Sequence, residues 1–225
     1  MYQLLSEQRD FIVINKAPHV HFHSQDGNAG VIAQAEADLG YKLYPVHRLD
    51  TPTSGLLIVA RSPQSANVFT QMFTAHQVQK YYLAIALGKP KKKQGWIVGD
   101  MAKSRRSMYK LLRTTENPAM TQFFCMSISE GKRGYLLKPL SGKTHQLRVA
   151  LASIGVPILG DTLYGKDVSD RCYLHAYSLH FNYLGQQFAF QQLPTQGEWF
   201  TERSFTDMVA EQWQQPDSLA WPTKS

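Results

Sequence analysis

Four segments of the 225-residue chain hold side chains whose types and spacing suit chemistry. The first is His47-Arg48-Leu49-Asp50-Thr51-Pro52-Thr53-Ser54-Gly55, which sets a carboxylate in a turn-forming stretch just ahead of the apolar run Leu56 to Ala60. Loops held by a rigid scaffold are where catalytic groups tend to sit. The same residue types also build capping turns, so this segment alone fits either role. The second is Ser141-Gly142-Lys143-Thr144-His145-Gln146-Leu147-Arg148. Helical spacing would put Thr144 and Arg148 on one face, where Arg148 can meet a carboxylate from elsewhere, lower its pKa and keep it ionised. A nucleotide-triphosphate loop is excluded, because GxxxxGK[ST] is absent: the residues ahead of Gly142 run Leu136 to Ser141 and contain no glycine.

The third segment is basic. Lys89, Lys91, Lys92, Lys93, Lys103, Arg105, Arg106, Lys110 and Arg113 lie within one stretch, interleaved with Trp96 and Tyr109. It reads as a basic hairpin or arm, which fits a clamp tracking an RNA backbone or simply a solvated hairpin. The fourth is His19-Val20-His21-Phe22-His23. On a strand the three histidines would share one face, as in HxH metal sites. No carboxylate cluster completes such a site, and no metal is expected.

The elements that must position these groups are legible from patterning. Phe11 to Asn15 is a short run rich in β-branched residues and predicts a buried strand. VIAQAEADLG predicts a short helix ending at Gly40, and Leu56 to Ala60 a second strand. Ser62-Pro63 is an N-cap with proline at the first helical position. Ala66, Phe69, Met72 and Phe73 follow at helical spacing as core. Val78 to Leu87 predicts a strand, and Thr121 to Ile128 with Tyr135 to Leu140 a hairpin about EGKRG. SGKTHQLRVALASIG predicts a helix capped at Gly155, and LHAYSLHFNYLGQQFAF two strands about Leu184-Gly185. The sum is an α+β fold.

Bulk properties narrow the partners. The net charge of +7 favours polyanions. The two cysteines, Cys125 and Cys172, form no CxxC and suggest neither a disulfide framework nor zinc, which fits a reducing cytoplasm. No apolar run approaches the roughly 20 residues of a membrane span. The N-terminus meets charged residues too early for a signal peptide.

HRLDTPTSGLLIVARS resembles the signature of the RluA family of pseudouridine synthases, HRLDxxTSG followed by an apolar strand. Further matches lie in the family's order. Asn15-Lys16 after FIVI resembles the opening strand and NKP turn, and Lys80-Tyr81-Tyr82-Leu83-Ala84 running to Gly88 resembles KxYxA…G. SGKTHQLRVALASIGVPILGDTLYG is similar to [ST]G[RK]THQ[IL]R and the GDxxYG after it, and LHAYSLHF to the late LHA…L.F strand. Two departures stand out: KAPH replaces KPAG at Lys16, and Asn182-Tyr183 replaces HP. The first makes the entrance loop differ from the family's.

The resemblance implies a pseudouridine synthase fold: a mixed, mostly antiparallel sheet with flanking helices and a central active-site cleft. It implies one catalytic domain over 1–225, with its motif-bearing core at about 11–200 and no S4-type domain; the acidic and tryptophan content of the last twenty or so residues separately suggests a loosely docked tail from about 205. Asp50 matches the essential aspartate, either attacking ribose C1′ or removing the C2′ proton. Arg148 matches the arginine that pairs with it, Tyr82 the ring that stacks on the target base, and Leu147 the residue packing the base's other side. Arg48 matches the arginine that fills the gap left by the flipped uridine. His47 and Thr53 are expected to shape the loop. His47, Lys143, Lys91, Lys92, Lys93, Arg105 and Arg106 complete the expected RNA-facing set. No cofactor is implied, because uracil is both leaving group and nucleophile. The expected partner is a ribosomal or transfer RNA stem-loop, not DNA or a membrane, bound by a monomer. Two other readings compete: an RNA-binding protein without catalysis, and a metal-dependent hydrolase using His19, His21 and His23.

Overall fold

The computed structural model describes residues 1–25, 27, 29–129 and 131–223. The chain divides into two compact units, Met1–Gln79 with His175–Leu193, and Lys80–Leu174 with Pro194 onward.

In the first unit the apolar runs become strands buried on both faces, as short continuous apolar runs do. β2 (Phe11–Lys16) and β4 (Ser54–Ala60) pair antiparallel, from Phe11 opposite Ala60 to Lys16 opposite Gly55. β1 (Tyr2–Glu7) adds outside β2, and β3 (Tyr44–Pro45) pairs with the end of β4. β11 (Leu174–Tyr183) runs parallel to β4, with His175 opposite Ser54 and Ala176 opposite Gly55. Gly55 is required there: its φ is +113°, and a Cβ would run into the Ala176 backbone. β12 (Gln186–Gln191) returns along β11 through Leu184 and Gly185, both at positive φ. Phe11, Phe69, Phe181 and Phe188 meet largely edge to face in the core.

Two helices flank this sheet. α1 (Val31–Leu39) ends at Gly40, whose left-handed backbone lets its N–H reach Glu36 O. α2 (Pro63–Thr74) opens with a reciprocal Ser62–Ser65 capping box. Its core face is narrower than the spacing predicts. Phe69 and Met72 are buried, Ala66 and Phe73 only half-buried, and Ser65 is drawn inside by the cap.

The second unit holds an antiparallel sheet in the order β5 (Gln79–Leu87), β10 (Lys132–Pro139), β9 (Ala119–Ser129) and β6 (Gln94–Gly99). The predicted hairpin is β9–β10; of its EGKRG turn, Glu130 lies outside the described residues. The basic stretch is not one arm. β6 belongs to the sheet, paired to β9 from Gln94 opposite Phe124 to Gly99 opposite Ala119. Only β7 (Met101–Lys103) and β8 (Tyr109–Leu111) form a separate ribbon.

α3 (Gln146–Ser153) is shorter than expected, because Thr144 and His145 lie in a turn closed by Gln146 N–H to Lys143 O and His145 takes a left-handed N-cap. Thr144 therefore shares no helical face with Arg148. Ile154 is the C-cap and Gly155 follows it at positive φ.

The expected loose tail is instead docked. After α4 (Glu198–Thr201), α5 (Arg203–Gln212) buries Phe205 and Val209, and Trp213 behind it is buried too. Trp221 lies on Phe124 and Tyr81, at 4.8 and 5.8 Å between ring centres. Pro222 O accepts Trp96 Nε1–H and Gln122 Nε2–H, both at 2.7 Å. Lys224 and Ser225 lie outside the described residues.

Candidate active site

The loop carrying Asp50 is fixed from below within the first unit. Its turn closes where Thr53 N–H donates to Asp50 O at 3.0 Å. Lys16 is wholly buried, and its Nζ donates to Ala17 O and Val20 O at 2.9 Å and to Thr51 O at 3.2 Å. One ammonium thus ties the entrance loop to the residue after Asp50, and burying it requires such acceptors. Thr51 Oγ1 shares a hydrogen bond with His21 Nδ1 at 3.2 Å. His47 Nε2 accepts Ile58 N–H at 2.8 Å and its ring stacks on Phe73. Leu49 is buried, while Asp50 stays half-buried and Arg48 exposed. Asp50 is thereby carried in a pinned turn just ahead of β4.

The second unit positions the other expected residues. Tyr82 sits mid-strand in β5 opposite Leu137 and is half-buried; strand alternation turns Tyr81 to the other face, where it is buried. Burial pushes the Tyr81 hydroxyl up to about 12, and burial likewise lowers the Lys80 ammonium.

Arg148 is 3% exposed, and its Nε and Nη2 donate to Asp161 Oδ2 and Oδ1, each at 2.8 Å. Asp161, 1% exposed, also accepts Leu163 N–H at 3.0 Å. This two-pronged contact fixes the guanidinium plane. The guanidinium lies 5.2 Å from the centre of the Tyr164 ring. Leu147 is buried beside it in sequence.

The turn before α3 is held by Gln146. Its Oε1 accepts Ser141 Oγ–H and Lys143 N–H, and its Nε2 donates to Met120 O and Thr121 Oγ1. Lys143 Nζ donates to Asn117 Oδ1 at 2.8 Å. Lys16, Gln146 and Asp161 have structural tasks that reading the sequence did not assign. The signals were present: a lysine closing an apolar strand, and the GD of GDTLYG thirteen residues after Arg148.

The histidine segment is not a strand. His21 faces Thr51, His23 is exposed and His19 has positive φ. Among the described residues no group of His, Cys, Asp and Glu could hold a metal ion.

A family model described as RNA pseudouridylate synthase matches residues 10–153, which include the Asp50 loop, β5 and Arg148. The chain belongs to this family. Pseudouridine synthases are isomerases that act on RNA. A Haemophilus influenzae protein named as an uncharacterised RNA pseudouridine synthase is 43% identical over 210 residues, covering 92% of this chain and 94% of that protein. The ribosomal large subunit pseudouridine synthase C of Rickettsia bellii is 33% identical, over 77% of this chain and 61% of its own. The solved structure of human RNA pseudouridylate synthase domain containing 1 superposes with a TM-score of 0.73 at 26% identity, covering 85% of this chain and 83% of that one.

A pseudouridine synthase needs a surface for a polyanion as well as a reactive site. Lys91, Lys92 and Lys93 are exposed in the β5–β6 connection, and Arg105 and Arg106 at the tip of the β7–β8 ribbon, where Arg106 has positive φ. Among the described residues no helix is long and apolar enough to cross a membrane.

Proposed function

We propose that this RNA pseudouridine synthase modifies a uridine of structured ribosomal or transfer RNA with Asp50 as its catalytic carboxylate. The observation that carries the reading is the Asp50 loop. Its backbone is pinned by Lys16 and Thr53 while the carboxylate remains half-exposed. Such a group can attack ribose C1′ or remove the C2′ proton, and both routes break the bond to uracil. The freed base turns so that C5 bonds to C1′ as the Asp50–C1′ ester breaks or as C2′ regains its proton; C5 then loses its proton and N1 gains one, so the reaction is a net isomerisation. Tyr82 stacks on the base, Leu147 packs it from the other side, and Arg148 takes the role of the arginine that serves the reacting carboxylate. Arg48 fills the gap left by the flipped nucleotide.

The name of the Rickettsia relative favours ribosomal RNA as the first substrate to test. Both cysteines are free and buried, which suits a reducing cytoplasm. The chain acts there as a single catalytic domain and a monomer.

The test is purified protein on unmodified transcripts of large-subunit ribosomal RNA and of transfer RNA, read by carbodiimide labelling and primer extension. A stop that wild type creates and Asp50→Asn does not supports the reading. Modification by Asp50→Asn at the wild-type rate overturns it.

A further inference from the structure

Tyr164 joins the basic ribbon to the residues around Arg148. Its hydroxyl accepts Tyr109 N–H from β8 at 2.9 Å and shares a hydrogen bond of 2.8 Å with His145 Nδ1. Its ring lies beneath the Arg148 guanidinium, 5.2 Å from the ring centre. Its own N–H donates to Asp161 Oδ1, the acceptor of Arg148 Nη2. One side chain therefore touches the ribbon, the N-cap of α3 and the buried ion pair.

The ribbon depends on such ties. A two-stranded ribbon alone is marginally stable in water, and here each strand has only three residues. At its base Leu112 N–H donates to Asp100 O, and Asp100 N–H to Thr114 O. Asp100 carboxylate oxygens accept Glu116 N–H and Asn117 N–H, and Asn117 Oδ1 accepts Lys143 Nζ. These contacts fix the root of the ribbon. Further along it, the Tyr164 hydroxyl and the His145 ring, 5.6 Å from Tyr109 and edge-on to it, fix β8. Beyond them project Arg105 and Arg106, both exposed.

We propose that Tyr164 is a positioning residue that couples RNA contact at the Arg105–Arg106 tip to the orientation of Arg148. This rests on the proposed function. Phosphates drawn to the tip pull on β8, and the Tyr164 hydroxyl transmits that load to the ring beneath Arg148. RNA seated on the ribbon thus adds a second hold, through the Tyr164 ring, to a guanidinium whose plane Asp161 already sets, and RNA that misses the ribbon does not.

The test is a mutant cycle of Tyr164→Phe with the Arg105→Ala/Arg106→Ala pair, on an unmodified large-subunit ribosomal RNA transcript. Tyr164→Phe keeps the ring and removes only the hydroxyl. Losing one coupling hydrogen bond lowers kcat/KM about fivefold. In the Arg105→Ala/Arg106→Ala background the same change costs less than about twofold, because the load is already gone. Exchange of the Tyr109 amide quickens in Tyr164→Phe while the melting temperature holds. Equal losses in both backgrounds, or no loss in either, overturn the coupling. Absence of turnover by wild type would count against the reading of the function instead, and the same cycle read as RNA affinity by filter binding then decides the coupling.

Discussion

Replacing Asp161 by asparagine perturbs the second unit at its most demanding point. The carboxylate is almost wholly buried and grips Nε and Nη2 of Arg148, itself buried, at 2.8 Å. Asparagine keeps the shape and one acceptor, but turns an amide N–H₂ toward a guanidinium that can only donate. Breaking a buried pair by removing one partner costs about 3–5 kcal/mol, because a charge is left behind. Against a total stability of about 5–15 kcal/mol, that is a large part. Asp161→Asn should lower the urea midpoint in proportion, with the slope unchanged, and should lower turnover as Arg148 loses its fixed plane. Converting the pair to Arg148→Met with Asp161→Leu should recover part of the stability and none of the activity. Recovery is partial because the Leu163 and Tyr164 N–H groups lose their acceptor. A stability loss for Asp161→Asn below about 1 kcal/mol, the scale of a single ordinary hydrogen bond, would refute the view that this ion pair organises the site.

Three further outcomes are expected. Tyr82→Ala should cost about 1–3 kcal/mol in kcat/KM, the scale of base–aromatic stacking, and Tyr82→Phe distinctly less; equal losses would assign the work to the hydroxyl. Neutralising the exposed Lys91, Lys92 and Lys93 should weaken RNA binding and flatten its salt dependence by about 2 in slope; an unchanged slope would make them a solvated loop. Burial holds the Tyr81, Tyr173 and Tyr177 hydroxyls at about 12, against an ordinary 10.0. Raised folded values mean a stabilising contribution that is complete below pH 10 and lost as pH climbs towards about 12. Urea melts across that window should show a falling midpoint, less steep in Tyr177→Phe.

The central strands were legible because FIVIN and LLIVA admit little else: short, apolar, β-branched and closed by turn residues. The cap at Ser62, the stop at Gly40 and the hairpin at Leu184-Gly185 were legible for similarly local reasons. The start of α3 was not. Thr144 and His145 follow the helical register in sequence, but the Gln146 side chain accepts Ser141 Oγ–H and Lys143 N–H, which holds the preceding residues in a turn. The basic stretch hid a sheet strand. Its lysines mask the one buried side of β6, Ile97 and Gly99, which shows only once β9 lies alongside. The docking of the C-terminal segment was hidden too, since Trp221 and Pro222 find partners more than eighty residues away. At the site, motif order pointed to Asp50, Tyr82 and Arg148. The clamps Lys16 and Asp161 left local signals, but what they hold, Thr51 O and the Arg148 guanidinium, shows only once the chain is folded.

The most direct test of the central claim is pseudouridine mapping of total RNA from cells with and without this gene, rescued by wild type or by Asp50→Asn. One or more sites should vanish on deletion and return only with wild type. A site restored by Asp50→Asn, or no site lost in any RNA and none made on purified transcripts, would contradict that claim.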